Sequence, residues 1–135
     1  LRFLMSKEQS EAQLFYLLQK IYFDSIDNSK ADEAVEAMHP EVRWVHNQVW
    51  EHDGHKSEVT DILEGRESVK EFLRRRVIEM QKEGIIHKVN SVSSNGELGA
   101  FQADVIGHDK TKKPFFGLVK IKEGKIFYYR VLPKE

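Results

Sequence analysis

AMHPEVRWVHN, residues 37–47, is the stretch on which the fold turns. A polar helix runs up to His39-Pro40 and stops, because the residue before a proline is pushed out of the helical region. The next residues alternate, with Val42, Trp44 and His46 on one side and Arg43, Val45 and Asn47 on the other. Alternation with period two predicts a half-buried strand. It places an imidazole, His46, on the same face as the indole of Trp44. A pocket in this protein would take that face as its wall.

Working outward, Leu14, Leu17, Leu18 and Ile21 recur at helical spacing, and Phe15, Tyr22 and Phe23 widen the stripe. This predicts a helix over residues 7–25, opened by Ser6 and Gln9 as a capping box. A second, shorter helix is expected over residues 30–38, with Ala31, Ala34, Val35 and Met38 facing inward. Residues 48–61 read as a wetted loop or loose hairpin turning at Asp53-Gly54. Residues 61–66 then lead into a third helix over 66–82, with Val69, Phe72, Leu73, Val77 and Met80 inward.

After Gly84 the pattern changes to short extended segments over 85–93, 97–107, 115–122 and 125–132. Asn95-Gly96 is the strongest hairpin signal in the chain. One strand among the helices and four more in a meander define an α+β class. The expected architecture is a cone, with three N-terminal helices packed on a strongly curved, mainly antiparallel sheet (a cystatin-like roll), as one domain over residues 1–135.

In the final hairpin Phe115, Gly117, Val119 and Ile121 alternate with Phe116, Leu118 and Lys120. Ile126, Tyr128 and Arg130 then face opposite to Phe127, Tyr129 and Val131. Both faces are apolar, which predicts a homodimer through the sheet.

Composition narrows the function classes. The 21 basic and 22 acidic side chains give a net charge of −1, so no general field draws in nucleic acid or an anionic membrane. The absence of cysteine excludes disulfides, thiolate catalysis and sulfur metal sites. The lack of cysteine suits a cytoplasmic protein, and no run reaches the length of a membrane span and no secretory segment is visible.

Leu1–Met5 are read either as native or as the remnant of an upstream segment, with Met5 then the natural start. Arg74, Arg75 and Arg76 lack aromatic interleaving, so they do not read as a nucleic-acid surface. His52-x-x-His55 with Asp53 has some ligand character, but the segment reads as flexible and no metal is assigned. No glycine-rich phosphate loop is present, and no cofactor is expected.

Three places in the chain resemble the nuclear transport factor 2-like superfamily, and within it the SnoaL-like domains, a group that includes polyketide cyclases and ketosteroid isomerases. The first is Tyr22-Phe23 with residues 34–47. The second is Gly65-Arg66-x-x-Val69-x-x-Phe72. The third is the closing turn Lys122-Glu123-Gly124-Lys125-Ile126. The resemblance implies a cone fold and a sheet-mediated homodimer, but it is poor for activity, since the superfamily includes enzymes and binding modules alike.

By resemblance, His46 stands where the isomerases carry their general-base aspartate, and Tyr22 is the stand-in for their enolate-stabilising tyrosine. The strand position of their second aspartate falls at Pro114–Phe116, where hydrocarbon cannot donate to an oxyanion. The cyclases use a histidine–aspartate pair, for which His87 or His46 with Asp104 are the candidates. Trp44, His87 and Tyr129 are expected to bind ligand.

Each of these residues also has a structural reading. His46 can be a wall residue bonded to a carbonyl, Asp104 a solvent-facing carboxylate, and Tyr22 a core residue with its hydroxyl satisfied. Arg130 can pin a carboxylate or pair across a dimer. The expected function is a small-molecule pocket with isomerase- or cyclase-like acid–base chemistry on an apolar carbonyl compound. A non-catalytic ligand-binding or structural dimeric module is the alternative.

Overall fold

Ser6 opens the first helix of the computed structural model, which describes residues 4–134. The question of whether Leu1–Met5 are native falls largely outside those residues. The Ser6 hydroxyl accepts from the Gln9 backbone N–H, and the Gln9 side chain accepts from the Ser6 N–H. This is the expected reciprocal cap.

Helix α1 covers residues 7–27 in three parts: α-helical over Lys7–Phe15, π-helical over Tyr16–Phe23 and α-helical again over Asp24–Asp27. In the wider π turns, positions five apart share a face. Leu17 with Tyr22 and Leu18 with Phe23 are spaced in this way, and all four are buried. Helix α2, Ala31–Ala34, runs into a 3₁₀ turn over Val35–Ala37. Strand β1 then begins at Met38 and ends at Asn47, so His39-Pro40 belongs to the strand and not to the helix end.

Strand β2 (Thr60–Glu64), helix α3 (Arg66–Glu83) and strands β3 (Ile86–Ser94), β4 (Leu98–Ile106), β5 (Lys112–Lys122) and β6 (Lys125–Pro133) complete the chain. The sheet order is β2-β1-β6-β5-β4-β3, and every neighbouring pair is antiparallel except β1 with β6. The helices cover its inner face, giving the α+β cone. Among the described residues no helix is long and apolar enough to cross a membrane.

Two details differ from the sequence reading. The lead-in to α3 is a sixth strand, β2, which pairs antiparallel with β1 from Arg43↔Glu64 to Asn47↔Thr60. It is a short, largely polar edge strand that leaves Ile62 exposed, so it carries no hydrophobic signal of its own. The second difference is a bulge in β6. Lys120 pairs with Tyr128, yet Ile121 pairs with Ile126, so Phe127 is an extra residue. Side-chain parity changes across it. Ile126 is buried before the bulge and Tyr129 and Val131 after it, whereas uninterrupted alternation sets Ile126 opposite to them.

Inward parity elsewhere agrees with the sequence. Phe101, Ala103 and Val105 of β4 and Phe115 and Val119 of β5 are buried against Leu14, Leu18, Phe23 and the α3 stripe. Gly117 sits opposite Phe101, and a Cβ there would lie 2.1 Å from Phe101 Cε1. The Phe101 ring cannot swing away freely, being packed against Phe23, Phe115 and Tyr129. Gly117→Ala is therefore expected to cost about 1–3 kcal/mol by overpacking. Urea unfolding checks this, as a lower midpoint with an unchanged slope. A midpoint equal to wild type would mean that the ring yields.

Candidate active site

A cavity of about 60 Å³ lies between α1, α3 and the inner face of the sheet. Its walls are largely apolar, including Phe23, Ile26, Phe72, Leu73, Met80 and Phe115. Polar groups interrupt them at Tyr22, His46, Gln48, Arg76, His87 and Tyr129, beside the indoles of Trp44 and Trp50. A site of roughly 10–15 Å³ holds one water, and one of about 150 Å³ holds a benzene ring. The cavity as built therefore suits a compact guest, and a steroid would need the walls to part.

His46 is placed by the pairing of β1 with β2, which sets it opposite Asp61. Its ring stacks on Trp44 with centroids 4.8 Å apart and an 18° tilt, and its side chain is 18% exposed. Nδ1 lies 3.5 Å from Asp61 Oδ2, within reach of an ion pair but outside hydrogen-bond geometry, and has no other partner. Burial holds the imidazole below its usual pKa, and the neighbouring Asp61 opposes this without overcoming it. The same contact with His46 holds Asp61 below the usual carboxylate range.

Arg76 supports the pair. Its guanidinium stands 3.8 Å from Asp61, donates to Gln48 Oε1 at 2.7 Å and lies 4.4 Å from the Phe72 ring centroid. Of the three consecutive arginines, Arg76 is the one turned toward the cavity, whereas Arg74 pairs with Asp32 at the surface.

A second imidazole is held more tightly. His87 Nδ1 is 2.6 Å from Asp27 Oδ1, and the His87 backbone N–H donates to Asp27 Oδ2 at 2.7 Å. The ring lies parallel to Phe23, 4.9 Å away. Gln19 fixes the same corner, donating to the His87 carbonyl and accepting from the Val89 N–H. With each Nδ1 turned to a carboxylate, Nε2 is the nitrogen left to act as proton acceptor in both rings.

The aromatic residues complete the site. Trp44 Nε1 donates to the Tyr22 hydroxyl at 3.0 Å, and the Tyr22 ring packs 5.3 Å from that of Tyr129. Burial raises the pKa of both phenols, so both stay protonated. Phe115 stands on the wall at the predicted hydrocarbon position.

Of the residues singled out from the sequence, His46, Tyr22, Trp44, His87 and Tyr129 line the one cavity. Asp104 does not, and this corrects its expected pairing with either histidine. Its neighbours Ala103 and Val105 point inward, so Asp104 points outward and accepts from Asn90 Nδ2 at 2.9 Å near the surface. Asp61 and Asp27 take the place proposed for it. Arg130 likewise serves the sheet itself, donating to Asn47 Oδ1 at 2.7 Å. Asp27, Gln48, Asp61 and Arg76 were missed. The sequence shows Asp27 only as a helix end and Asp61 only as a loop residue. Recognising β2 as the partner of β1 is the signal that would have set Asp61 opposite His46.

No family model matches the sequence, and no curated protein matches it. Solved structures do match. An NTF2-like protein of unknown function from Mesorhizobium loti superposes with a TM-score of 0.64 at 12% identity, over 99% of this chain and 100% of that one. The epoxide hydrolase/cyclase-like enzyme SalBIII of pyran ring formation in salinomycin gives 0.63 at 14%, over 94% and 92%. A de novo designed protein with a curved β-sheet gives 0.63 at 21%, over 96% and 88%. The chain thus has the cone fold of the nuclear transport factor 2-like superfamily, which SnoaL-like structures share. A designed protein fits about as well as an enzyme, so the likeness speaks for architecture and leaves chemistry to the side chains.

Proposed function

We propose that this protein is an isomerase- or cyclase-like enzyme that moves protons on a compact carbonyl compound, with His46 as general base. One observation carries the reading: two imidazoles, each facing a carboxylate, line a single small apolar cavity with two neutral phenols. His46 is neutral at pH 7, because burial lowers its pKa. Its Nε2 takes a proton from the carbon next to the carbonyl, and the C–H electron pair passes into an enolate. Tyr22, polarised by the Trp44 N–H, donates to the developing oxyanion. His87, oriented by Asp27, handles a second proton in this reading. Return of the proton to another carbon completes an isomerisation. Attack of the enolate carbon on a second carbonyl of the same molecule, which then takes up the proton, completes a cyclisation.

The test is deuterium exchange into acetone and other short-chain ketones in D₂O, monitored by proton NMR. Exchange above the buffer rate is expected for at least one compound. If ketones shift the His46 and His87 resonances with no exchange above buffer, the pocket is a binding module and the enzymatic reading fails.

We also propose that a second copy of the chain covers the outer face of the sheet. Phe116, Leu118 and Leu132 project there and are 44%, 57% and 41% exposed. A patch of neighbouring apolar side chains on an outer sheet face is the mark of an interface. Light scattering should find a dimer, and the double variant Phe116→Glu/Leu118→Glu should be a monomer with an unchanged circular dichroism spectrum. A monomeric wild type overturns the assignment.

A further inference from the structure

Residues 48–61, expected to form a wetted loop or loose hairpin, enter β2 at Thr60 and are drawn tight before it. The His55 N–H donates to the His52 carbonyl at 2.8 Å, and the residues between them, Asp53 (φ 46°) and Gly54 (φ 81°), are both left-handed. Two successive positive φ values make the close reversal that favours Asp-Gly. His52 and His55 are bridge partners, so their side chains leave the same side of the turn, toward Glu79 on α3.

His52 is the unusual member. Its side chain is 1% exposed, and its Nδ1 lies 2.9 Å from the Trp50 carbonyl. A carbonyl only accepts, and this one is much nearer Nδ1 than the Gln48 amide nitrogen at 3.5 Å, so Nδ1 carries the ring proton and, in the neutral ring, Nε2 presents a bare lone pair. That Nε2 is sealed from solvent, has no hydrogen-bond partner, and stands 3.4 Å from Glu79 Oε2. A lone pair facing a carboxylate is a mismatch that a cation between them removes. His55 Nε2 lies 3.0 Å from the same oxygen, and the three ligand atoms fall within 4.8 Å of one another. Tetrahedral zinc, with bonds of about 2.0–2.1 Å, sets its ligand atoms roughly 3.3 Å apart. Two of the three edges already have nearly that length.

We propose that His52 Nε2, His55 Nε2 and the Glu79 carboxylate bind a divalent transition-metal ion of the zinc class, with the fourth position open to solvent. Two imidazoles and one carboxylate favour such an ion over calcium or magnesium, which take oxygen donors. The Trp50 carbonyl supplies the outer bond that fixes the tautomer and aim of His52. Arg76 Nε approaches Glu79 at 3.7 Å and also bonds Gln48, whose amide donates to the Trp50 carbonyl. The ion would clip the β1–β2 connection onto α3 beside the cavity, taking no part in the proton transfer at His46.

Isothermal titration of chelator-treated protein with zinc chloride is expected to give one saturable site per chain, and zinc is expected to raise the melting temperature. His55→Ala and Glu79→Gln are both partly exposed positions and should fold without zinc as wild type does. Each should weaken zinc binding at least ~10-fold and lose most of the thermal shift. His108→Ala, on an exposed turn, should behave as wild type. The proposal is overturned if wild type shows no saturable zinc binding, or if the Glu79→Gln/His55→Ala double variant binds zinc unchanged. Ketone exchange plays no part in either readout, so this site and the proposed reaction stand or fall separately.

Discussion

Replacing His46 with asparagine is expected to slow ketone exchange by about 10²–10⁴-fold, the usual range for loss of a positioned acid–base group. Asparagine is smaller than histidine but polar and planar, and it leaves the Trp44 wall in place, so the fold should persist. The pH profile is the sharper readout. The acting form of His46 is the neutral one, and burial holds its folded pKa below the ordinary value of about 6.5. Activity should therefore be on a plateau at neutral pH and fall through an acid limb below 6.5.

Stability has the same sign. A buried neutral imidazole contributes fully above the unfolded pKa. It loses ground as pH falls from about 6.5 toward the folded value, because the unfolded chain takes up the proton first. His46→Asn should remove that loss.

Asp61→Asn separates positioning from packing. The carboxylate raises the His46 pKa against burial and Arg76, so its removal leaves both unopposed. The acid limb should move to lower pH while the plateau drops, since a weaker base removes the proton more slowly. A purely structural Asp61 would leave the limb where it is.

How far the site could be read from sequence depended on whether its residues lie on strongly patterned elements. His46 and Trp44 share a face of β1 because alternation says so, and Tyr22 and Phe23 share the helix stripe. Those four positions needed no tertiary information. Asp61 and Asp27 did. Asp61 meets His46 only through the cross-strand pairing of a polar edge strand, and Asp27 meets His87 across 60 residues of chain.

Asp104 shows the converse error. Its place opposite Ala103 and Val105 is visible in the alternation, and chemical suitability as a histidine partner does not outweigh that parity. The bulge at Phe127 shows a third limit. An inserted residue reverses the facing of everything beyond it, and nothing in the run Lys125–Tyr129 marks where the insertion falls. The turn at His52–His55 was legible as Asp-Gly. The burial of His52, and therefore the unusual lone pair, is set by tertiary packing, in which Glu79 of α3 takes part.

Trp44→Ala is expected to lower stability by about 3–5 kcal/mol, the usual cost of removing a fully buried large aromatic side chain. Trp44 is 1% exposed and stands at the centre of the wall. It stacks on His46, lies at a 12° tilt to Tyr129 with centroids 5.9 Å apart, meets Phe72 at 5.2 Å and donates to Tyr22. Small domains hold only about 5–15 kcal/mol in total, so the variant should be near its folding limit.

Trp44→Phe divides the effect. It keeps most of the ring contact and drops the N–H, so the buried Tyr22 hydroxyl loses the indole donor and keeps only Tyr129, and about 1–2 kcal/mol is expected. Urea unfolding of the two variants measures both. A loss below about 1 kcal/mol for alanine would show that the cone closes over the gap and that the wall is soft.

Added indole then tests where the gap lies. If the space left by Trp44 joins the existing cavity, indole should bind the alanine variant and raise its melting temperature by mass action. It should do little to wild type, whose void of about 60 Å³ is smaller than a benzene site of about 150 Å³. An equal response in both proteins would place the indole elsewhere, and the Trp44 face would then not be the wall of a usable pocket.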